Sequence, residues 1–221
     1  MTEPIESTYA TVTVVGSATV SAVPDLASLT IGVSVTDSSI SSAFDAVTRV
    51  SNALTGTLHS RGISGEDVRS SGLSAHPQTR WTDSGVNEHV GFTVSTTYRV
   101  VLRDLAPDSP NSVGAVITEC VVVGGDAVTV DGLEFDLEDR SELTRQARDA
   151  AWARARSTAQ QYADLAGMTL RGALDVVEDS AQIVPVRAVT AAAMKSDTVG
   201  PTVERGKVEE SVSVRVRFSL A

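Results

Sequence analysis

The side chains able to do chemistry in this chain are few and poorly placed for it. There are three histidines, His59, His76 and His89. His59 falls near the end of a predicted helix, with no acidic or sulfur neighbour at ligand spacing. His76 and His89 flank a turn predicted at Asp83-Ser84-Gly85. A hairpin centred there pairs His89 near Arg80 and His76 near Thr93, about 13 Å apart along the strand. Neither a shared metal nor a proton relay follows, and all three read as solvated or half-buried side chains. The single cysteine, Cys120, can form neither an internal disulfide nor a zinc knuckle. It lies on an apolar helix stripe with Glu119 beside it, whereas a reactive thiolate needs a basic or helix-N-terminal setting. Cys120 therefore reads as a packing residue.

Serine is abundant, but no Gly-x-Ser-x-Gly elbow, P-loop or Gly-x-Gly-x-x-Gly cradle occurs. Asp126, Asp131, Glu134, Asp136, Glu138 and Asp139 form an acidic stretch whose spacing does not match a calcium loop. It reads as a solvated strand face. No catalytic residue, cofactor-binding residue or metal ligand is assigned, and no cofactor is expected. The two tryptophans are Trp81, beside the predicted turn, and Trp152, among charged residues on a long helix. Burying an exposed indole is worth about 2–3 kcal/mol, so Trp152 is the candidate interface residue, with local packing as the other reading.

The elements that would hold these residues follow from hydrophobic period. Val12, Val14, Ala18, Val20 and Ala22 alternate with Thr and Ser, as do Leu29, Ile31, Val33 and Val35, which reads as two strands broken at Pro24-Asp25 and joined as a hairpin or a bent continuation. Ile40, Phe44, Val47, Val50, Leu54 and Leu58 are spaced for one helix face, with capping residues before it and Gly62 after it. Residues 69–81 and 89–103 read as a hairpin, with Pro77 placing the first of them at an edge or a bulge. Ser109-Pro110 opens a second helix carrying Val113, Val116, Ile117 and Cys120. Residues 127–137 form a fifth strand, with Leu133, Phe135 and Leu137 as its buried candidates.

Asp139 to Glu142 resembles a capping box and opens the longest helix, whose buried stripe is Leu143, Ala147, Ala151, Ala155, Ala159, Tyr162 and Ala166. A strand at 168–177, a long loop at 180–206 and a closing strand from Val208 to Leu220 complete the chain. The order ββαββα-βα-ββ implies an α+β fold of largely antiparallel sheets with helices packed on one face. Residues 1–10 read as a tail and 11–221 as the folded domain. That length allows one large domain or two intimate subdomains, about 11–105 and 106–221.

Composition limits the partners. The chain has 221 residues, of which 42% are hydrophobic and 21% charged, and it can bury roughly 70% of its unfolded surface without disulfides or metal. Eighteen Lys and Arg stand against 28 Asp and Glu, a formal charge of −10. Such a surface repels phosphate backbones and anionic lipid, and Arg145, Arg148, Arg154 and Arg156 on the long helix are interleaved with Glu142, Asp149 and Asp164. Nucleic acid is not expected as a partner. No apolar run approaches the ~20 residues of a membrane helix, so membrane insertion is not expected either. Residues 1–8 carry neither a basic n-region nor an apolar h-region, which leads to the expectation of a soluble cytoplasmic protein.

Several stretches occur in a specific order. They begin with Val14-Val-Gly-Ser-Ala-Thr-Val-Ser-Ala-Val-Pro-Asp-Leu-Ala-Ser-Leu-Thr-Ile-Gly-Val33, followed by Gly62-Ile63 with Glu66-Asp67-Val68, then Pro77-Gln78 and Gly91-Phe92. Gly132-Leu-Glu-Phe-Asp-Leu137, Tyr162-Ala-Asp-Leu-Ala-Gly167 and the final Val-rich strand complete the set. Together they resemble the SIMPL-domain family from Val12 to Leu220. That family takes its name from a mammalian signalling protein that associates with a pelle-like kinase, and its bacterial members include periplasmic immunogenic proteins, some linked to protection against oxidative stress. The resemblance implies no established enzymatic activity and no catalytic residue. It implies oligomerisation, since some bacterial relatives form ring- or channel-like assemblies. Many bacterial members carry an export signal, a feature residues 1–8 do not match. The resulting expectation is a non-enzymatic protein acting as a homo-oligomer and linked to stress protection, with two other readings behind it: an adaptor module for an unidentified protein, with the 180–206 loop as its contact, and after that an enzyme of unrecognised type.

Overall fold

A computed structural model of the chain describes residues 10–63, 65–81, 87–179 and 203–221. The elements are β1 (Thr11–Ala22), β2 (Leu26–Asp37), α1 (Ile40–Ser60), β3 (Val68–Trp81), β4 (Asn87–Leu102), α2 (Val113–Gly124), β5 (Val128–Asp136), α3 (Ser141–Leu165), β6 (Leu170–Asp179) and β7 (Val208–Leu220). The α+β class, the order of elements and the antiparallel pairing are those expected from the hydrophobic period.

The chain divides into two compact units, and the division is not the expected one at 105/106. One unit holds β1, α3, β6 and β7, and the other holds β2, α1, β3, β4, α2 and β5. A cut at 105/106 would separate β4 from β5, yet both belong to one four-stranded sheet of order β3-β4-β2-β5. β2 pairs with both β4 and β5, so that sheet cannot close without residues from both sides of the expected boundary. β1 and β2 are not paired with each other, so the hairpin reading does not hold. β1 pairs instead with β7, from Thr11 opposite Ser219 to Ala22 opposite Val208.

In the first unit, β1-β7-β6 form a three-stranded sheet. The inward residues Val14, Ala18, Val212, Val214, Val216 and Phe218 meet the helix stripe Ala147, Ala151, Ala155 and Ala159. Alanine brings the helix backbone close to the sheet, and Gly16 permits it. A Cβ at Gly16 would collide with the Ala151 carbonyl oxygen and stand 2.8 Å from the Ala155 Cβ. The opposite face of β1 and β7 carries hydroxyl pairs, Ser17 with Ser213 at 3.1 Å and Thr19 with Ser211 at 2.8 Å. The lower end of the stripe differs from expectation: Ala163 is buried, while Tyr162 and Ala166 are exposed. The expected capping box is not made: the helix is capped at Arg140 with no side-chain bond. Asp139 accepts from the Ser141 N–H at 2.8 Å, but Glu142 turns to Arg145 and Gln146 instead of reaching back.

In the second unit, α1 lies on β2 and β4, and α2 packs against α1 and β5. The core is built on Leu29, Ile31, Val33, Val94, Val100, Leu54, Leu58, Val116 and Cys120. The buried stripe of α1 is Ala43, Val47, Ser51, Leu54 and Leu58. Ile40 and Phe44, expected on that stripe, are both about half exposed, because the stripe is rotated toward the small residues that allow close approach to the sheet. Helix α2 begins later than Ser109-Pro110, with the Ser112 hydroxyl accepting from the Ala115 N–H at 3.4 Å. Leu133, Phe135 and Leu137 are half-buried.

Candidate functional site

The structure keeps the histidines apart. His76 pairs opposite Thr93, as expected, but His89 pairs opposite Thr79 instead of Arg80. The offset comes from a bulge on β4: Gln78 pairs with Gly91 and Thr79 with His89, which leaves Val90 between them without a partner in the ladder. The two histidines therefore stand roughly 10 Å apart along the strand, and His89 packs against Phe92 with centroids 4.7 Å apart and the rings tilted by 60°. His59 is exposed at the end of α1. Among the described residues, no group of three or more His, Cys, Asp or Glu could hold a metal ion.

Cys120 is fully buried. Burial pushes its thiol up to about 11, against a smaller opposing pull from Arg61. A thiol so placed is a poor nucleophile at neutral pH. The acidic stretch does not gather into one site. Glu134 pairs with Arg99 at 3.3 Å and Glu138 with Arg103 at 3.0 Å, and Arg103 also pairs with Asp67. On α3 two of the arginines are paired in the same way: Arg145 with Glu142 and Asp149, and Arg148 with Glu178 of β6 at 2.8 Å. Hydrogen bonds from Arg145 and then Gln146 hold the Glu142 carboxyl down at about 2. These cross-strand and helix-to-strand pairs were not legible in the sequence, because they depend on register.

Trp152 is half-buried, its ring 5.8 Å from that of Phe218 and tilted by 54°. That contact is local packing within its own unit, and a flank of the indole stays accessible. Trp81, at the end of β3, is 73% exposed. The interval 180–206, expected as a loop, lies mostly outside the described residues, and Val203 packs at the edge of the second unit's core.

Two surface features emerge that the sequence reading did not single out. The first is the edge of the three-stranded sheet. Helix α3 covers β1 and β7, while residues 171–178 of β6 are exposed throughout. Leu174 is 53% and Val176 52% exposed, and Val177 is also bare. The second is a cleft of about 440 Å³ between α1 and the β3–β4 hairpin, lined by Phe44, Val47, Ser51, Leu73, Thr96 and Tyr98 among others. Among the described residues, no carboxylate, amine, guanidinium, imidazole or thiol lines it. The sequence signal for this cleft was Gly72 inside a strand, which marks a bulge.

The SIMPL family model, described as "Protein of unknown function (DUF541)", matches residues 12–218. The 26 kDa periplasmic immunogenic protein of Brucella melitensis biotype 1 is 28% identical over 226 residues, covering 96% of this chain and 85% of the relative. The protein of the same name from Brucella abortus strain S19 matches to the same extent. The expectation of a cytoplasmic chain is overturned by these relatives, both of which are named periplasmic. That expectation rested on residues 1–8, and a secretory leader is a removable appendage that leaves no mark on the folded domain. No described helix is long and apolar enough to cross a membrane.

Proposed function

Since the chain belongs to the SIMPL family, we propose that it is a non-enzymatic protein of the extracytoplasmic space whose working form is a homo-oligomer. The periplasmic naming of both Brucella relatives supports the location. The observation that carries assembly is the β6 edge. Among the described residues no strand pairs with its outer side, and its exposed Leu174, Val176 and Val177 combine unpaired backbone donors and acceptors with apolar side chains. Natural proteins cover such an edge or pair it, and a second copy of the chain supplies both the strand and the apolar surface. Any part in protection against oxidative stress acts through that assembly, because the one thiol is buried and held protonated.

The test is native mass by light scattering after size exclusion, at several concentrations. The expected result is a discrete multiple of 23.1 kDa that persists on dilution and falls in a Leu174→Lys, Val176→Lys variant of unchanged melting temperature. Both side chains are about half exposed, so the variant is expected to fold. A monomer at every concentration would sink the proposal and leave the adaptor reading in its place.

A further inference from the structure

The cleft between α1 and the β3–β4 hairpin has three features that packing alone does not explain. The first is a buried hydroxyl with nothing to bond. Ser51 is 9% exposed and its Oγ has no hydrogen-bond partner among the described residues. Its helix neighbours do not share this state: Thr48 donates to the Phe44 carbonyl at 2.8 Å and Thr55 to the Ser51 carbonyl at 2.9 Å. Helical hydroxyls ordinarily satisfy themselves in this way, and a buried polar group left unpaired is disfavoured.

The second feature is an apolar pair facing the same space. Phe44 is 47% and Leu73 62% exposed, and both line the cleft. Leu73 sits where β3 departs from regular register, between Ser71 and Ser74, and Gly72 makes that departure with φ +67°. A left-handed backbone at that point suits glycine and re-aims the next side chain. The third feature is that, among the described residues, no charged side chain lines the cleft, although the chain carries a formal charge of −10. A charged ligand entering there would lose hydration without gaining a counter-charge.

We infer that this cleft binds an uncharged amphiphilic small molecule, with its aromatic or branched apolar body between Phe44 and Leu73 and one hydroxyl or carbonyl group bonded to Ser51 Oγ. The volume, about 440 Å³, lies within the range of small-molecule sites, and the lining mixes Phe44, Val47, Leu73 and Tyr98 with uncharged hydroxyl and amide side chains, which suits an amphiphile. The site lies within one unit, so it depends neither on the assembly proposed above nor on the β6 edge.

The full chain is titrated with benzyl alcohol by saturation-transfer NMR, with benzoate and benzylammonium as charged isosteres and fluorobenzene as the analogue lacking the hydroxyl. Saturable binding of benzyl alcohol is expected, with both charged isosteres at least about tenfold weaker. Ser51→Ala, which removes an unpaired hydroxyl and improves helix propensity, is expected to melt no lower than the parent. It should weaken benzyl alcohol about fivefold while leaving fluorobenzene unchanged. Leu73→Ala, at an exposed position, should weaken both neutral probes. The inference is overturned by non-saturable binding, by equal affinity for the charged isosteres, or by Ser51→Ala affecting both neutral probes alike. It is equally overturned if benzyl alcohol is displaced as protein concentration rises, which would assign the cleft to a second copy.

Discussion

At the scale of single residues, the chemistry of this protein is decided by burial more than by residue type. Cys120 carries the most nucleophilic atom in the chain, yet it lies in the core among Leu29, Val116 and their neighbours, and burial raises its thiol to about 11. A disulfide-exchange reagent at pH 8 should therefore modify it only after denaturant is added; rapid reaction of the native protein would contradict the assigned burial. Cys120→Ser should cost about 1–3 kcal/mol by placing a stronger hydrogen-bonding group where none can be satisfied, read as a lower urea midpoint at an unchanged slope. The helical position and apolar neighbours of Cys120 were legible in the sequence. The exposure of Phe44 was not, because its spacing from Ile40 and Val47 places it on the apolar stripe, while the buried stripe runs through Ala43 and Val47 instead.

Among the elements, the packing of α3 on β1 and β7 is set by side chains that are nearly absent. The buried stripe Ala147, Ala151, Ala155, Ala159 and Ala163 has little volume, and the helix reaches the sheet only where Gly16 leaves room for its backbone. Gly16→Ala is expected to destabilise by about 1–3 kcal/mol or more through overpacking. Gly56, exposed about one turn from the end of α1 with nothing within 4 Å of an added Cβ, provides the opposite case. Gly56→Ala should stabilise by about 0.5–1 kcal/mol through helix propensity. Denaturant midpoints that shifted the same way for both variants would refute this account of the helix–sheet contact.

At the scale of the whole molecule, a formal charge of −10 opposes any gathering of copies. Repulsion between like-charged surfaces falls off within the Debye length, which shortens from about 30 Å at 0.01 M salt to about 8 Å at 0.15 M. The proposed assembly should therefore strengthen as salt is raised through this range, because its contact is apolar strand edge and its opposing force is screened. Sedimentation of dilute protein at low and moderate salt measures this directly. Dissociation on adding salt would point to a contact made of ion pairs and not to the β6 edge.

The alternation of Val and Thr along β1 and β7, the three- and four-residue spacing of α1 and α3, and the glycine that ends α1 are local properties, each specified by neighbours a few residues away. The sequence alone accordingly determined the element order, the antiparallel α+β class and, through the ordered motifs from Val14 to the last strand, the family. What only the tertiary structure decided concerns residues far apart in the chain. That β1 closes with β7 and not β2, that the units divide at 23/24 and 138/139, that Arg103 meets both Asp67 and Glu138, and that Ser51 and Leu73 face one cleft all depend on which strands pair and in what register. A one-residue shift there moves every side chain to the other face, and no local pattern records it.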